Sequence, residues 1–326
     1  MGIFDGGVKV FQIRNLNLKD GGYDAGDIIT GEVVLVTTKE IKCHAFFASF
    51  LGSANTEWSQ TRSFDDRYST IEQIRGEWYY GYEKIIEDST MFNGPGIIAP
   101  GQYLHKFAFR FPKMCPASFN GPYGGISYII KVKIDRRMSL DNEITIALKC
   151  KGTFDLNILP SIIMQPFQAH GMSEPPSSEG YYCEDGPVRI SARIPKVAYA
   201  LGEKVKIQIY VKNSSKNPIV MLTANILEIT TYIAFDDGNG KAERKNSTKH
   251  VVVNIIPQSQ ERVEFNFLIA TTVAPPVICS IINTEHGIEL CARRSNGKTA
   301  SACSMPLTIG TVPLIRRIQK PETSDL

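Results

Sequence analysis

The sequence predicts an all-β chain made of two tandem β-sandwiches, and three observations carry that prediction. Apolar and polar residues alternate with a period of two along many short runs, clusters of turn-forming residues separate those runs, and pieces of the first half recur in order in the second. No segment shows the apolar recurrence of an amphipathic helix of three turns or more.

The alternation is plain in several places. Phe107, Phe109 and Phe111 alternate with Ala108 and Arg110. Tyr128, Ile130, Val132 and Ile134 alternate with Ile129, Lys131, Lys133 and Asp135. Val205, Ile207, Ile209 and Val211 alternate with Lys206, Gln208, Tyr210 and Lys212, and Val263, Phe265 and Phe267 with Glu264 and Asn266. In a strand, successive side chains point to opposite faces, so each run offers one face to a core and one to water. Gly21-Gly22, Pro100-Gly101, Asn120-Gly121-Pro122, the Asp236–Gly240 cluster and Ser295-Asn296-Gly297 supply the turns.

The repeat fixes the domain count. Tyr23-Asp24-Ala25-Gly26-Asp27 is echoed by Tyr199-Ala200-Leu201-Gly202-Glu203, in each case a turn feeding a strand. Pro100 ahead of the Phe107–Phe111 run is echoed by Pro257 ahead of the Val263–Phe267 run. The spacing differs because the first half carries a longer insertion, placed in the polar stretch around 59–75. Residues 1–156 are therefore expected to form the first sandwich and 185–314 the second. Between them 157–184, with Pro160, Pro166, Pro175-Pro176 and Ser177-Ser178, is expected as a linker, and 315–326 as a short tail.

Composition narrows the function. A net charge of +3 with 21% charged residues, and no basic block, argues against nucleic acid as partner. No apolar run approaches the roughly 18 residues of a membrane span. The first residues lack the basic and apolar regions of a secretory signal, so the expected location is cytoplasmic. Seven cysteines (43, 115, 150, 183, 279, 291 and 303), with no Cys-x-x-Cys among them, read as reduced thiols. No catalytic, cofactor-binding or metal-binding residue emerges. Cys43 and His44 fall on opposite faces of a strand, and the five histidines lack ligand spacing. Gly297-Lys298-Thr299 resembles the end of a phosphate loop, but Ala292 stands where its first glycine belongs, and the context is a hairpin. The chain is expected to be no enzyme and to need no cofactor.

A set of short stretches, kept in order, is similar to the arrestin superfamily and within it to the α-arrestins, the arrestin domain-containing proteins. In the first half these are Tyr23-x-x-Gly26-Asp27-x-Ile29-x-Gly31-x-Val33, Phe50-x-Gly52-x-Ala54 with Trp58, Pro116-x-Ser118-Phe119-x-Gly121 and Ile126-x-Tyr128. In the second they are Gly186-Pro187-Val188, Tyr199-x-x-Gly202-Glu203, Asn213-Ser214-Ser215, Cys279-Ser280-Ile281-Ile282 and Pro306 to Leu314. The resemblance implies two immunoglobulin-like, arrestin-type sandwiches. It also implies a non-catalytic adaptor that binds cytoplasmic tails of membrane proteins and links them to the trafficking machinery of endocytosis and protein transport. Such an adaptor works in the cytoplasm, at the inner face of the plasma membrane or endosomes, and admits peripheral membrane association.

By the same resemblance Lys9 and Arg14, on or beside the first strand, are candidate peptide-binding residues facing acidic or phosphorylated segments; the alternative is that both are solvated strand cations. The departures are also informative. Neither Pro175-Pro176 nor Pro275-Pro276 continues to the tyrosine of a Pro-Pro-x-Tyr motif, so no direct WW-domain ligase is expected as partner. Thr323-Ser324-Asp325-Leu326 fits a PDZ-domain ligand, with Ser324 and Leu326 as the residues read. A different class of function, thiol-dependent binding to a redox protein such as thioredoxin, would need an exposed cysteine of lowered pKa.

Overall fold

Alternating runs become strands where a second sheet covers their apolar face, and this happens twice in the chain. The computed structural model describes residues 7–64, 73–137, 140–173, 186–234, 240–270 and 276–315. They divide into two compact units, the first drawn from Met1–Thr153, Thr231–Ala242 and Val277–Asn283, the second from Phe154–Thr230, Glu243–Pro276 and Thr284–Leu326. The sequence-based division at a single linker is thus more finely cut, because two short pieces of the second half fold with the first unit.

The first unit contains β1 (Val8–Arg14), β2 (Ile28–Thr37), β3 (Ile41–Phe64), β4 (Gln73–Asn93), β5 (Gly96–Ile98), β6 (Gly101–Arg110), β7 (Phe119–Gly121), β8 (Gly124–Arg136) and β9 (Asn142–Leu148). One sheet has the order β1-β2-β6. The other runs β4-β3-β8-β7, with β5 on β3 and β9 on β8. Between them lies an aromatic core. The Phe50 ring meets Phe111 edge-on at 4.8 Å and Phe109 at 6.2 Å, and Phe111 also touches Tyr128 and Tyr23, each at 5.3 Å. Such pairs add about 0.5–1.5 kcal/mol each beyond their burial. Tyr232, from the added piece, is fully buried in this core and sits edge-on to Tyr123 at 5.5 Å.

The second unit is built on β10 (Phe167–Met172), β11 (Val188–Ile194), β12 (Ala198–Ala200), β13 (Lys204–Asn213), β14 (Ile219–Ile233), β15 (Gly240–Ile255), β16 (Ser259–Leu268), β17 (Ile282–Arg294) and β18 (Thr299–Gly310). One sheet has the order β10-β11-β13-β16 and the other β12-β18-β17-β14-β15. The Val205–Val211 alternation is realised strictly, every odd residue buried and every even one exposed. Gly297-Lys298-Thr299 closes the hairpin between β17 and β18, with Arg294 N–H donating to Lys298 O at 3.0 Å.

The repeat seen in the sequence is a repeat of geometry. Gly26 has φ +86° and Gly202 φ +84°, the left-handed region where glycine carries no steric penalty. Beyond each turn the same bond follows, Phe111 N–H to Asp27 O at 2.9 Å and Ile269 N–H to Glu203 O at 3.0 Å. Tyr23 and Tyr199 are both buried, each beside a parallel bridge, to Cys150 and to Ile309 respectively.

The stretch 157–184 differs from the expected linker over its described part. Ser161–Met164 form a 3-10 turn and β10 pairs with β11 from Phe167 to Met172. Pro160 and Pro166 suggested a loop; within β10 a glycine is required at 171, because a Cβ there would fall 1.7 Å from Ala302 O. Pro175-Pro176 and Ser177-Ser178 lie outside the described residues. The 59–75 stretch, where described, lengthens β3 and β4, which pair antiparallel out to Phe64 and Gln73.

Replacing Phe50 by Ala removes the ring shared by both sheets, so the first unit is expected to lose about 3–5 kcal/mol. Both tryptophans of the chain, Trp58 and Trp78, sit in this unit, so their fluorescence in a urea titration reads its unfolding separately. His105 gives a second test. Its ring stacks on Phe92 at 4.7 Å and lies edge-on to Phe46, and burial holds its pKa below the usual histidine value of 6.5. A depressed histidine binds its proton more weakly folded than unfolded. Stability is therefore full above about pH 6.5 and declines as pH falls from there toward the folded pKa. The urea midpoint should drop between pH 7.5 and 5.5, less steeply in His105→Phe, and equal slopes in the two proteins would refute the assignment.

Candidate functional site

The outer face of the β10-β11-β13-β16 sheet gathers the exposed residues of four strands into rows. Register places Met172, Arg189, Lys212 and Gln260 in one row, and His170, Ser191, Tyr210 and Arg262 in the next. Gln168, Arg193, Gln208 and Glu264 make the third. These residues point outward because their strand neighbours, among them Ile190, Ala192, Ile207, Ile209 and Phe265, fill the core of the second unit.

Charge on this face is one-sided. Among the described residues its one carboxylate is Glu264, already engaged by Lys206 at 3.0 Å and by the Gln208 amide at 3.1 Å. The Lys206 ammonium, and then Gln208, hold the Glu264 carboxyl below its usual range. Arg189, Arg193, Lys212 and Arg262 are exposed and, among the described residues, form no ion pair. Two shallow depressions mark the surface. One of about 440 Å³ is lined by Gln168, Arg193, Gln208, Tyr210 and Arg262. The other, of about 420 Å³, is lined by His170, Met172, Arg189, Tyr210 and Lys212. Tyr210, common to both, donates its hydroxyl to Gln260 and is about a third exposed. At about 3.4 Å per residue, Arg189 and Arg193 stand about 14 Å apart along β11. Such a surface suits an extended segment with acidic groups at matching intervals.

The expected residues Lys9 and Arg14 fall on β1, an edge strand of the other unit's three-stranded sheet. They are not brought together. Lys9 is the extra residue where the register shifts between Val8 and Val10, and Arg14 ends the strand opposite Glu32. Glu32 accepts from Asn15 Nδ2 at 2.7 Å and has Lys106 at 3.7 Å, so Arg14 faces a carboxylate already present in its sheet. Ser324 and Leu326 lie outside the described residues.

The four cations of the β10-β11-β13-β16 face were not singled out from the sequence. Lys212 belongs to a run whose polar side was recognised. Arg189 and Arg193 join it through the pairing of β11 with β13, and Arg262 through the pairing of β13 with the more distant β16. Among the described thiols Cys43, Cys115, Cys150, Cys291 and Cys303 are buried and Cys279 is half-buried. Burial pushes the Cys279 thiol up, and its sulfur is engaged by Ile282 N–H at 3.2 Å. Cys43 is buried and His44 exposed, as opposite strand faces require. Among the described residues no group of three or more side chains could hold a metal ion, and no helix is long and apolar enough to cross a membrane.

Comparison with known proteins agrees with this architecture. Residues 13–157 match the family model described as arrestin (or S-antigen), N-terminal domain, and residues 184–314 match that of the C-terminal domain. The chain is 23% identical to human arrestin domain-containing protein 4 over 321 residues, 95% of this chain and 73% of that protein. The mouse protein of the same name is 22% identical, covering 90% of this chain and 69% of its own length. Human thioredoxin-interacting protein is 24% identical over 321 residues, 93% of this chain and 75% of that one. With both arrestin domains matched in order on two β-sandwich units, the chain belongs to the arrestin family.

Proposed function

We propose that this arrestin-family adaptor holds acidic, extended stretches of membrane-protein cytoplasmic tails on the outer face of the β10-β11-β13-β16 sheet and links them to trafficking machinery. The observation that carries the proposal is the set of four cations, Arg189, Arg193, Lys212 and Arg262, left without ion pairs beside Tyr210 and Met172. The β1-β2-β6 face is the weaker candidate because Lys9 and Arg14 stand at opposite ends of β1 and Arg14 lies across from the carboxylate of Glu32. Work on cytoplasmic tails places the protein in the cytoplasm, at the inner face of the plasma membrane or of endosomes.

The thiol-dependent alternative draws support from the name of one relative, thioredoxin-interacting protein. It needs a cysteine both exposed and acidified, and no described thiol is both. Cys183 lies outside the described residues. The cationic face therefore favours the cargo reading.

Titrating the full chain into a fluorescent peptide with acidic residues four apart tests it. Arg193→Glu with Arg262→Glu should weaken binding at least tenfold, about 1.4 kcal/mol. Raised salt should weaken it as well, since exposed charges are screened. Stability of the double variant should stay within about 0.5 kcal/mol, as for exposed substitutions generally. Binding that ignores both salt and charge reversal would sink the proposal.

A further inference from the structure

We propose that Cys115 and Cys150 form a modification site, a buried dithiol in the first unit that a hydroperoxide oxidises to a disulfide. The inference is independent of the cargo reading and uses none of its residues.

The two sulfurs lie 3.5 Å apart, the only thiol pair in contact among the described residues. They are brought there by backbone, which is why the contact is well defined. Cys115 lies in the irregular segment between β6 and β7, and Cys150 follows β9 in a parallel bridge to Tyr23. Ser118 clamps the two segments, its N–H donating to Cys150 O and its hydroxyl accepting from Cys150 N–H, both at 2.9 Å. Tyr128 Oη donates to Pro116 O at 2.7 Å and fixes the residue next to Cys115. Ala117 packs so closely on Gly152 that a Cβ there would come 2.6 Å from Ala117 N. A disulfide needs an S–S distance of about 2.05 Å, so the sulfurs must close by about 1.5 Å, within reach of side-chain rotation.

The surroundings also divide the roles. Cys115 shares its thiol proton with Cys150, which holds Cys150 toward thiolate and Cys115 toward thiol. Cys150 sulfur attacks one peroxide oxygen, the O–O bond breaks, and the departing hydroxide takes the Cys115 proton to leave as water. Cys115 thiolate then attacks the sulfur of the Cys150 sulfenic acid. The S–O bond breaks, and the second hydroxide takes a proton from solvent. With Cys150 starting as thiolate, one peroxide and one proton give one disulfide and two waters. Cys115 directly follows the exposed Lys113 and Met114, so the irregular segment passes from solvent to the pair within one residue. Among the described residues no third metal-ligating side chain joins the pair, which separates it from a structural metal centre.

The experiment treats the full chain with one equivalent of hydrogen peroxide, alkylates the remaining thiols after unfolding, and maps peptides by mass without reduction. The expected product joins the Cys115 and Cys150 peptides with the loss of two hydrogens and predominates over every other linkage. In Cys115→Ser the reaction should stop at a Cys150 sulfenic acid that a dimedone-type reagent traps. The same treatment in denaturing urea should scramble the linkage. Recovery of both cysteines alkylated, linkages dominated by other cysteines, or the same yield from unfolded chain would each overturn the proposal. The main readout is on unmodified protein, so a variant that fails to fold does not remove the test.

Discussion

In both units the strand that carries the outer face enters from a left-handed glycine, and the backbone bond just beyond that turn locks it to its neighbour. Gly26 leads to the bond from Phe111 N–H to Asp27 O, and Gly202 to the bond from Ile269 N–H to Glu203 O. Side chains alternate with a period of two, so a slip of one residue would exchange the inner and outer sets. In the second unit that slip would drive Lys206, Gln208, Tyr210 and Lys212 into the core and expose Val205, Ile207, Ile209 and Val211. Burying unpaired lysines is costly enough that the register is strongly specified. The turn and the apolar face therefore fix together which residues any ligand of the sheet can meet.

What the outward set can do follows from its exposure. Charges on an open sheet stay hydrated, and an exposed ion pair contributes only about 0.2–1 kcal/mol. Four such contacts favour one spacing of acidic groups over another without by themselves making a tight complex. Apolar and aromatic contact has to supply more, and Met172 and Tyr210 are placed beside the cations for that. Engagement of Glu264 by Lys206 matters for the same reason, because it removes the one carboxylate of the face from competition.

Much of the fold was legible because alternation and turn chemistry are local. The runs ending in Phe111, Ile134, Val211 and Phe267 could be assigned from a few consecutive residues, and the Tyr-x-x-Gly echo exposed the duplication. What was not legible depends on contacts between distant residues. β10 looked like linker because it lies among prolines and sustains no alternation, and it is held as a strand by its pairing with β11. The described residues of two short pieces of the second half fold with the first unit, where Tyr232, Val277, Ile281 and Ile282 are buried among residues remote in sequence. The cationic face was hidden in the same way. Arg193, Gln208 and Glu264 share a row only after two strand pairings are known. The first-strand cations Lys9 and Arg14 came from resemblance, and resemblance does not reveal that Glu32 stands opposite one of them.

The two chemical features answer to different physical conditions. The outer face is open to water, so salt and charge reversal act on it directly, and an oxidant there would meet the exposed Met172 rather than a thiol. The Cys115–Cys150 pair is enclosed by Ser118, Tyr128 and the Ala117–Gly152 contact, where dissolved ions screen little. They also lie in separate units and share no side chain. Perturbations at sites with no shared partners usually add. A disulfide that altered binding of an acidic segment would therefore have to act through a change of conformation in the second unit. Such coupling needs a two-state element that both sites bias. Register makes the strands of the face stiff to such a change, since a sheet position moves by two residues or returns its side chains to the wrong side. Loops and turns can adjust continuously, and the paired strands that present Arg189, Arg193, Lys212 and Arg262 cannot.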